Sequence, residues 1–403
     1  WTKTWDARNR LLTQIDPLTN TKSFLYDKAG NLIRFTDERG KATNFEYDLL
    51  NRQTRMVDAE NGIWVTAYDP EGNVVSTTDA LSRVRTAVYD ALNRVTSQSD
   101  ASGVNETFTY DVLGNVLTAV NRNGKATSFA YDALSRVTSQ TDALGGIKSF
   151  TYDGVGNTLS ATESVSDLVT RTTAFEYNNR NLLTKATDPL LQIQTFGYDE
   201  RGLLTTETNK RALSTTHAYD KVGRIKLTTD PLGLTTGVTY DKVGRVVAVQ
   251  DANNNETALM YDGAGRLTGQ TDATGAQTAF GYDAASNVTS VTNARSATTT
   301  FVYDALNRET SRTDPESGIW LTGYDAASNV TASTDSNGNT TTFGYDGENR
   351  LLSITDPAPF GNSITYTYDS VGNRLTETDR LGSTSAYVYD ALNRPTKVTD
   401  ALN

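Results

Sequence analysis

Carboxylates are the most abundant side chains capable of chemistry in this chain, with 48 Asp and Glu against 37 Lys and Arg. Two carboxylates a few ångströms apart can hydrolyse a glycoside, and Asp, Asn and Gly in stacked turns can coordinate calcium. Their spacing points elsewhere. Asp follows an aromatic residue at a period of 21, as in Tyr26-Asp27, Tyr47-Asp48, Tyr89-Asp90 and Tyr240-Asp241. A catalytic centre breaks a pattern once, whereas a residue present in every unit serves the unit. The carboxylates therefore read as turn caps, the chain as a non-enzyme without a cofactor, and structural calcium as the rival reading for the acidic turns. The roughly nine-residue period of calcium-binding β-rolls is missing.

The other reactive residue types offer less. The single histidine, His217, takes the slot filled by Phe196 and Phe280 in neighbouring units, so it is expected to pack toward a core. Alone it builds neither a triad nor a multi-histidine metal site. With no cysteine there is no disulfide framework and no thiolate site. The glycines at Gly263 and Gly265 fall inside a turn rather than a phosphate loop. The net charge of −11, without a basic run, argues against a nucleic-acid surface. No apolar run approaches the ~18 residues of a membrane span, and no leader is visible at Trp1.

What positions the Asp residues is a repeat. Counting Trp5 as the first aromatic and Tyr389 as the last gives 19 units, interrupted only between Tyr152 and Tyr177 and between Tyr345 and Tyr368. The residue three after the Asp is always Gly, Asn or Ser, as at Gly30, Asn51, Asn93 and Gly244. That is the signature of a type I turn in which Asp caps and the fourth residue is left-handed. A second Asp follows ten residues later, as in Asp37, with Gly40 three further on. Each unit thus carries two hairpin turns.

The runs between turns are about six residues long and rich in Thr, Val, Phe and Tyr, which favours strands. Phe45 and Tyr47 alternate with Glu46, and the position six after the aromatic is aliphatic in 14 of 19 units, giving one apolar face. The expectation is all-β: about 19 hairpins in a spiralling antiparallel sheet, coiled into a hollow tube or shell because strands twist and the apolar face needs cover. Residues 1–403 read as one continuous array, truncated at one or both ends, since the last unit stops within itself at Asn403. The irregular joints, ESVSDLVTRTT before Tyr177 and DPAPFGNSITYTYD around Tyr368, are expected as longer rim loops, with docking of another domain as the functional alternative. Trp64 and Trp320 share a slot in two similar units and are read as packing residues. Arg follows the left-handed residue in ten units, including Arg52 and Arg308, where it can pair with Asp on an adjacent strand.

The segments YDALNR at Tyr89, Tyr303 and Tyr389, YDKVGR at Tyr219 and Tyr240, and TDPLG at Thr229 resemble Rhs or YD repeats across essentially the whole chain. That family includes bacterial Rhs polymorphic toxins, shell proteins of insecticidal toxin complexes, wall-associated bacterial proteins and the teneurins. The resemblance implies a spiralling β-sheet cage in a large secreted or surface protein, which in the bacterial toxins encloses a C-terminal toxin. Nothing after Tyr389 resembles the autoproteolytic core segment of the toxin members. The Asp-Pro pairs at Asp188, Asp230, Asp314 and Asp356 sit in repeat turns, so the protease role is not carried onto them. The function expected is a secreted or surface bacterial scaffold whose partner is an enclosed or displayed cargo domain or neighbouring subunits. The alternative is an extracellular fibre or adhesin that binds glycans or other chains.

Overall fold

The computed structural model describes residues 1–166 and 169–401, and part of the insertion before Tyr177 lies outside the described residues together with the last two positions. Short β-branched runs closed by turns every five or six residues leave no room for helices. The chain forms 38 strands, from β1 (Thr2–Trp5) to β38 (Pro395–Thr399), in a single antiparallel sheet. Every strand pairs with the next in sequence, and the first does not pair with the last. It is a pure meander.

The two hairpins of a unit differ in register. In the Tyr-Asp hairpin, Tyr47 faces Gln53 while Glu46 faces Arg55, so Thr54 is left unpaired as a β-bulge. The same shift recurs at Tyr89, Tyr240 and Tyr389. In the other hairpin Arg55, Met56 and Val57 face Val65, Trp64 and Ile63 without a shift. A bulge bends its strand and adds right-handed twist. Repeated in phase on one side of every unit, it bends the ribbon into a coil.

The coil closes on itself edge to edge. Side chains of the first third reach residues 245 to 266 positions further on, as Glu60 does to Ala305 and Arg39 to Ala305 and Asp304. One turn of the coil is therefore about twelve units or about 24 strands, which at ~4.8 Å per strand gives a ring about 37 Å across. The Tyr-Asp edge of the second coil seats on the opposite edge of the first. Each strand packs only on its two sheet neighbours, so the wall is one layer thick.

Here an expectation needs correction. The aromatic face and His217 were expected to be covered like a core, yet no apolar side chain among the described residues is buried. His217 is half-buried, its Nδ1 3.1 Å from the Thr228 hydroxyl. A single layer bent at a radius of about 18 Å cannot bring its inner faces into contact, so cover comes only from neighbouring side chains. The irregular joints also split. The insertion before Tyr177 lengthens strands, Thr158–Ser166 and Val169–Tyr177 at nine residues each, instead of a loop. The second insertion does enlarge the turn after Asp356, where Phe360 stands exposed.

Candidate functional site

Each turn is a small closed network built on its Asp. At Asp48 the backbone N–H donates to the Arg52 carbonyl at 3.0 Å, and the Asn51 N–H donates to the Asp48 carbonyl at 3.0 Å. Asn51 has φ 61°, the left-handed value that follows a type I turn in a three-residue hairpin loop. The carboxylate Oδ1 accepts from the N–H groups of Leu50 and Arg52 at 2.9 and 3.0 Å. Asp37, Asp90 and Asp241 make the same pattern, and Asp27 Oδ1 accepts from the N–H groups of Gly30 and Asn31 instead. The left-handed residues of these turns are Gly30, Gly40, Asn93 and Gly244, at φ 109°, 77°, 61° and 94°.

The residue after the left-handed one locks each unit to the next. Arg52 donates from Nε to Asp48 Oδ2 at 2.7 Å and from Nη1 to the Asp69 carbonyl of the following unit at 2.9 Å. Its guanidinium lies 4.6 Å from the centre of the Tyr68 ring, a cation–π stack. The partner is thus the Asp of its own turn, across the hairpin, plus the next unit's backbone and ring. Tyrosine closes the link from the other side. Tyr47, Tyr89 and Tyr240 donate from Oη to the carbonyls of Leu32, Val74 and Ile225 in the preceding unit at 2.9, 2.9 and 2.8 Å. Tyr26 lies 4.7 Å beneath Arg10. A Phe would fill the same volume and lose the bond, which explains the choice of Tyr.

From Arg10 to Asn157 and again from Arg266 to Arg394, alternate units use Asn in place of Arg, while Leu182, Leu203, Arg224 and Arg245 between them break the rule. Asn31 donates to Asp27 Oδ2 at 2.9 Å and to Asn51 Oδ1 of the next turn at 2.8 Å, and Asn73 does the same with Asp69 and Asn93. Asn51 and Asn93 therefore do more than tolerate a positive φ: their side chains are acceptors. This pairing was missed in the sequence, although the alternation Arg10, Asn31, Arg52, Asn73, Arg94, Asn115 is visible there. A period of two units is hard to notice when each unit already satisfies its own turn rule.

The electrostatics suit caps. The Arg52 backbone N–H and then its guanidinium hold the Asp48 carboxyl below the usual carboxylate value. The Arg94 side chain, then its backbone N–H, does the same for Asp90. At Asp79 burial pushes upward, and the Arg83 side chain and backbone outweigh it. A general acid requires the opposite shift. Among the described residues no group of three or more His, Asp and Glu is placed to hold a metal. In the Tyr-Asp turns followed by Arg or Asn both Asp oxygens are already engaged by donors, as at Asp48 and Asp27.

The seam is the one place where the environment changes. Among the described residues Asp16, Asp79 and Asp100 are the only buried side chains of the polar class, and all three lie on the first-coil edge that carries the seam, Asp100 being 2% exposed. Arg39 donates to the Asp304 carbonyl at 2.9 Å, and Glu60 accepts from the Ala305 N–H at 2.8 Å. Glu348 accepts from the Ala101 N–H at 2.6 Å and from Arg85 at 3.1 Å. Asn123 donates to Asp369 Oδ2 at 2.8 Å, and Ser370 donates to the Arg122 carbonyl at 3.1 Å. Nothing in the sequence signals these pairs in advance.

Comparison with known proteins agrees with this geometry. The family model described as teneurin YD-shell matches residues 1–188 and 234–403. The crystal structure of TcdB2-TccC3-Cdc42 superposes with a TM-score of 0.68 at 12% identity, over 99% of this chain and 30% of that one. The crystal structure of TcdB2-TccC3 gives a TM-score of 0.47 at 13% identity over 99% and 31%. A Photorhabdus luminescens Tc holotoxin pore gives 0.46 at 14% identity over 96% and 30%. The chain thus spans about a third of the length of the solved chains it resembles, and the likeness is one of fold. No curated protein matches by sequence.

Proposed function

Because this chain belongs to the teneurin YD-shell family, we propose that it forms the wall of a hollow container that encloses or displays a protein cargo, as part of a secreted or surface bacterial protein. The single-layered coil carries the reading. A ring about 37 Å across at the backbone, with every described strand in the wall, leaves a lumen about 25 Å wide once side chains are allowed for. A 100-residue domain has a radius of gyration of about 13 Å and is wider than that. The lumen is therefore matched to an extended chain or a very small domain, and larger cargo would be displayed at an open edge.

The partner class is protein. The solved structure of like fold, TcdB2-TccC3-Cdc42, is an assembly of proteins, and the acidic balance of −11 disfavours nucleic acid. The turn carboxylates supply order and solubility to such a wall. The test is protease protection in the parent polypeptide with its natural flanking segments. A flanking segment should resist digestion while the wall is intact and become sensitive once acid or denaturant opens it. Equal digestion in both states would sink the reading.

A further inference from the structure

The tyrosine face of the ribbon lines the lumen. In the strands Ile63–Tyr68, Val84–Tyr89 and Asn105–Tyr110 exposed and half-buried residues alternate strictly, and the half-buried ones share the side of the tyrosine. A bent sheet crowds side chains on its concave face, so the tyrosine side is the inner one.

One row of this face stands two residues before each tyrosine. It holds Phe or Tyr in 12 of the 18 units that carry a tyrosine, among them Phe45, Phe108 and Phe129, so a ring is its ordinary occupant. Ala87 is the smallest residue in the row. Thr66 and Thr322 also lack the ring, but in both units a tryptophan, Trp64 or Trp320, stands two residues earlier on the same face. The Ala87 unit has Arg85 there instead. What is left is a recess of about 300 Å³ lined by Arg85, Ala87, Tyr89, Val74, Gln98 and Arg122. A cavity of ~150 Å³ takes up benzene, so the space admits an aromatic side chain.

The groups around the recess select the ligand. Arg85 is 41% exposed and has a single partner, Glu348 at 3.1 Å across the seam. Elsewhere on this face guanidinium groups lie on rings, Arg312 4.5 Å from the centre of Trp320 and Arg374 4.7 Å from that of Tyr387. Arg85 has no ring against it among the described residues, although it lines the one recess of this row that no tryptophan fills. The charges are not those of an anion site. Arg85 lies 3.1 Å from Glu348, and Arg122 lies 3.2 and 3.7 Å from Glu106 and Asp100, three acids against two bases. A neutral ring suits that balance, because a guanidinium can stack on a π face while its carboxylate stays bonded in its plane.

We propose that the recess at Ala87 is a binding site for an aromatic side chain of an extended polypeptide held in the lumen, the ring seated where other units carry Phe and Arg85 stacked on its face. The source of the ring rests on the container reading, whereas the recess exists without it. A tethered chain reaches a millimolar effective concentration, so a weak site is enough to hold one segment against the wall.

The test is an NMR titration of the whole chain with two blocked tripeptides, Gly-Phe-Gly and the same peptide with cyclohexylalanine in place of Phe. The Phe peptide should bind several-fold more tightly, because the saturated ring fills similar space without a π face. Ala87→Phe supplies the usual occupant and should weaken that binding about tenfold or more, as overfilling a packed site does. Val238→Phe, at the same position in a distant unit, should leave it unchanged. Arg85→Gln should weaken the Phe peptide about threefold, the size of an exposed cation–π contact, and leave the cyclohexyl peptide as it was. No binding by the wild type, equal loss in Ala87→Phe and Val238→Phe, or equal affinity for the two peptides overturns the proposal. Failure of the container reading shows separately, as equal digestion of a flanking segment with the wall intact and opened, and a wall that binds the Phe peptide can still give that result.

Discussion

The same hexapeptide occurs on a free edge and in the seam, as Tyr89 to Arg94 and as Tyr303 to Arg308. Locally the copies are interchangeable. Arg94 and Arg308 donate to the Asp of their own turns at 2.7 and 2.6 Å and to the next unit's carbonyl at 3.0 and 2.9 Å. Both stack 4.6 Å from the following tyrosine. Their surroundings differ. Leu92 is 67% exposed, while Leu306 is half-covered and Ala305 is bonded to Glu60. The comparison teaches that the turn is a self-sufficient unit, and that the seam borrows it without remaking it.

Acid should break both copies together, and it is the largest effect expected. The caps hold Asp48, Asp90 and Asp304 below the ordinary carboxylate value, at Asp304 against the upward push of burial. A depressed carboxyl contributes its stability fully above about pH 3.9 and loses it as pH falls through the folded value. The β-sheet circular dichroism should therefore hold from neutral pH to about 4.5 and collapse below about 3.9. Loss near pH 6 would contradict the capping account.

Next in size is the buried seam carboxylate. Asp100→Ala strands the N–H groups of Ser102 and Val104 and removes one of the two acidic partners of Arg122. A destabilisation of about 3 kcal/mol is expected, the low end for a broken buried pair because Arg122 keeps Glu106. Chemical denaturation measures it. Asp251→Ala on the free edge should move the midpoint far less, and equal shifts would remove the distinction between the two regions.

Glu348 and Glu71 occupy the same turn position, one in the seam and one free. Glu348→Gln weakens the bonds to Ala101 and Arg85 and should cost about 1.5 kcal/mol, as for hydrogen bonds to charged groups. Glu71→Gln should stay within about 0.5 kcal/mol. The smallest effect sharpens the likeness. Tyr89→Phe and Tyr303→Phe each lose one bond to a carbonyl of the preceding unit, at 2.9 and 2.8 Å, and should each cost about 1 kcal/mol. A large difference between the two would show that the seam alters the ladder as well.

Much of this architecture is legible in the residues. Asp with Gly or Asn three later encodes the turn because the capping bonds and the left-handed φ are local demands that only a few side chains meet. The bulge beside each Tyr-Asp turn was not foreseen, since Thr54 differs in no visible way from its paired neighbours. Nor was the fate of the insertion before Tyr177, where added Thr and Val residues extend the pairing instead of loosening the loop. The alternation of Arg and Asn was in view, but its meaning depends on how far a side chain reaches into the next unit.

The sequence by itself determined the unit: two capped turns, two short strands, and a period of 21. These follow from interactions between residues close in the chain, so each repeat states them again. The tertiary structure alone decided the coil, because its closure after 245 to 266 residues accumulates from a small bend at every bulge. A slight change in that bend would bring different turns together. Which Asp becomes buried is settled only when the ribbon comes round to meet itself.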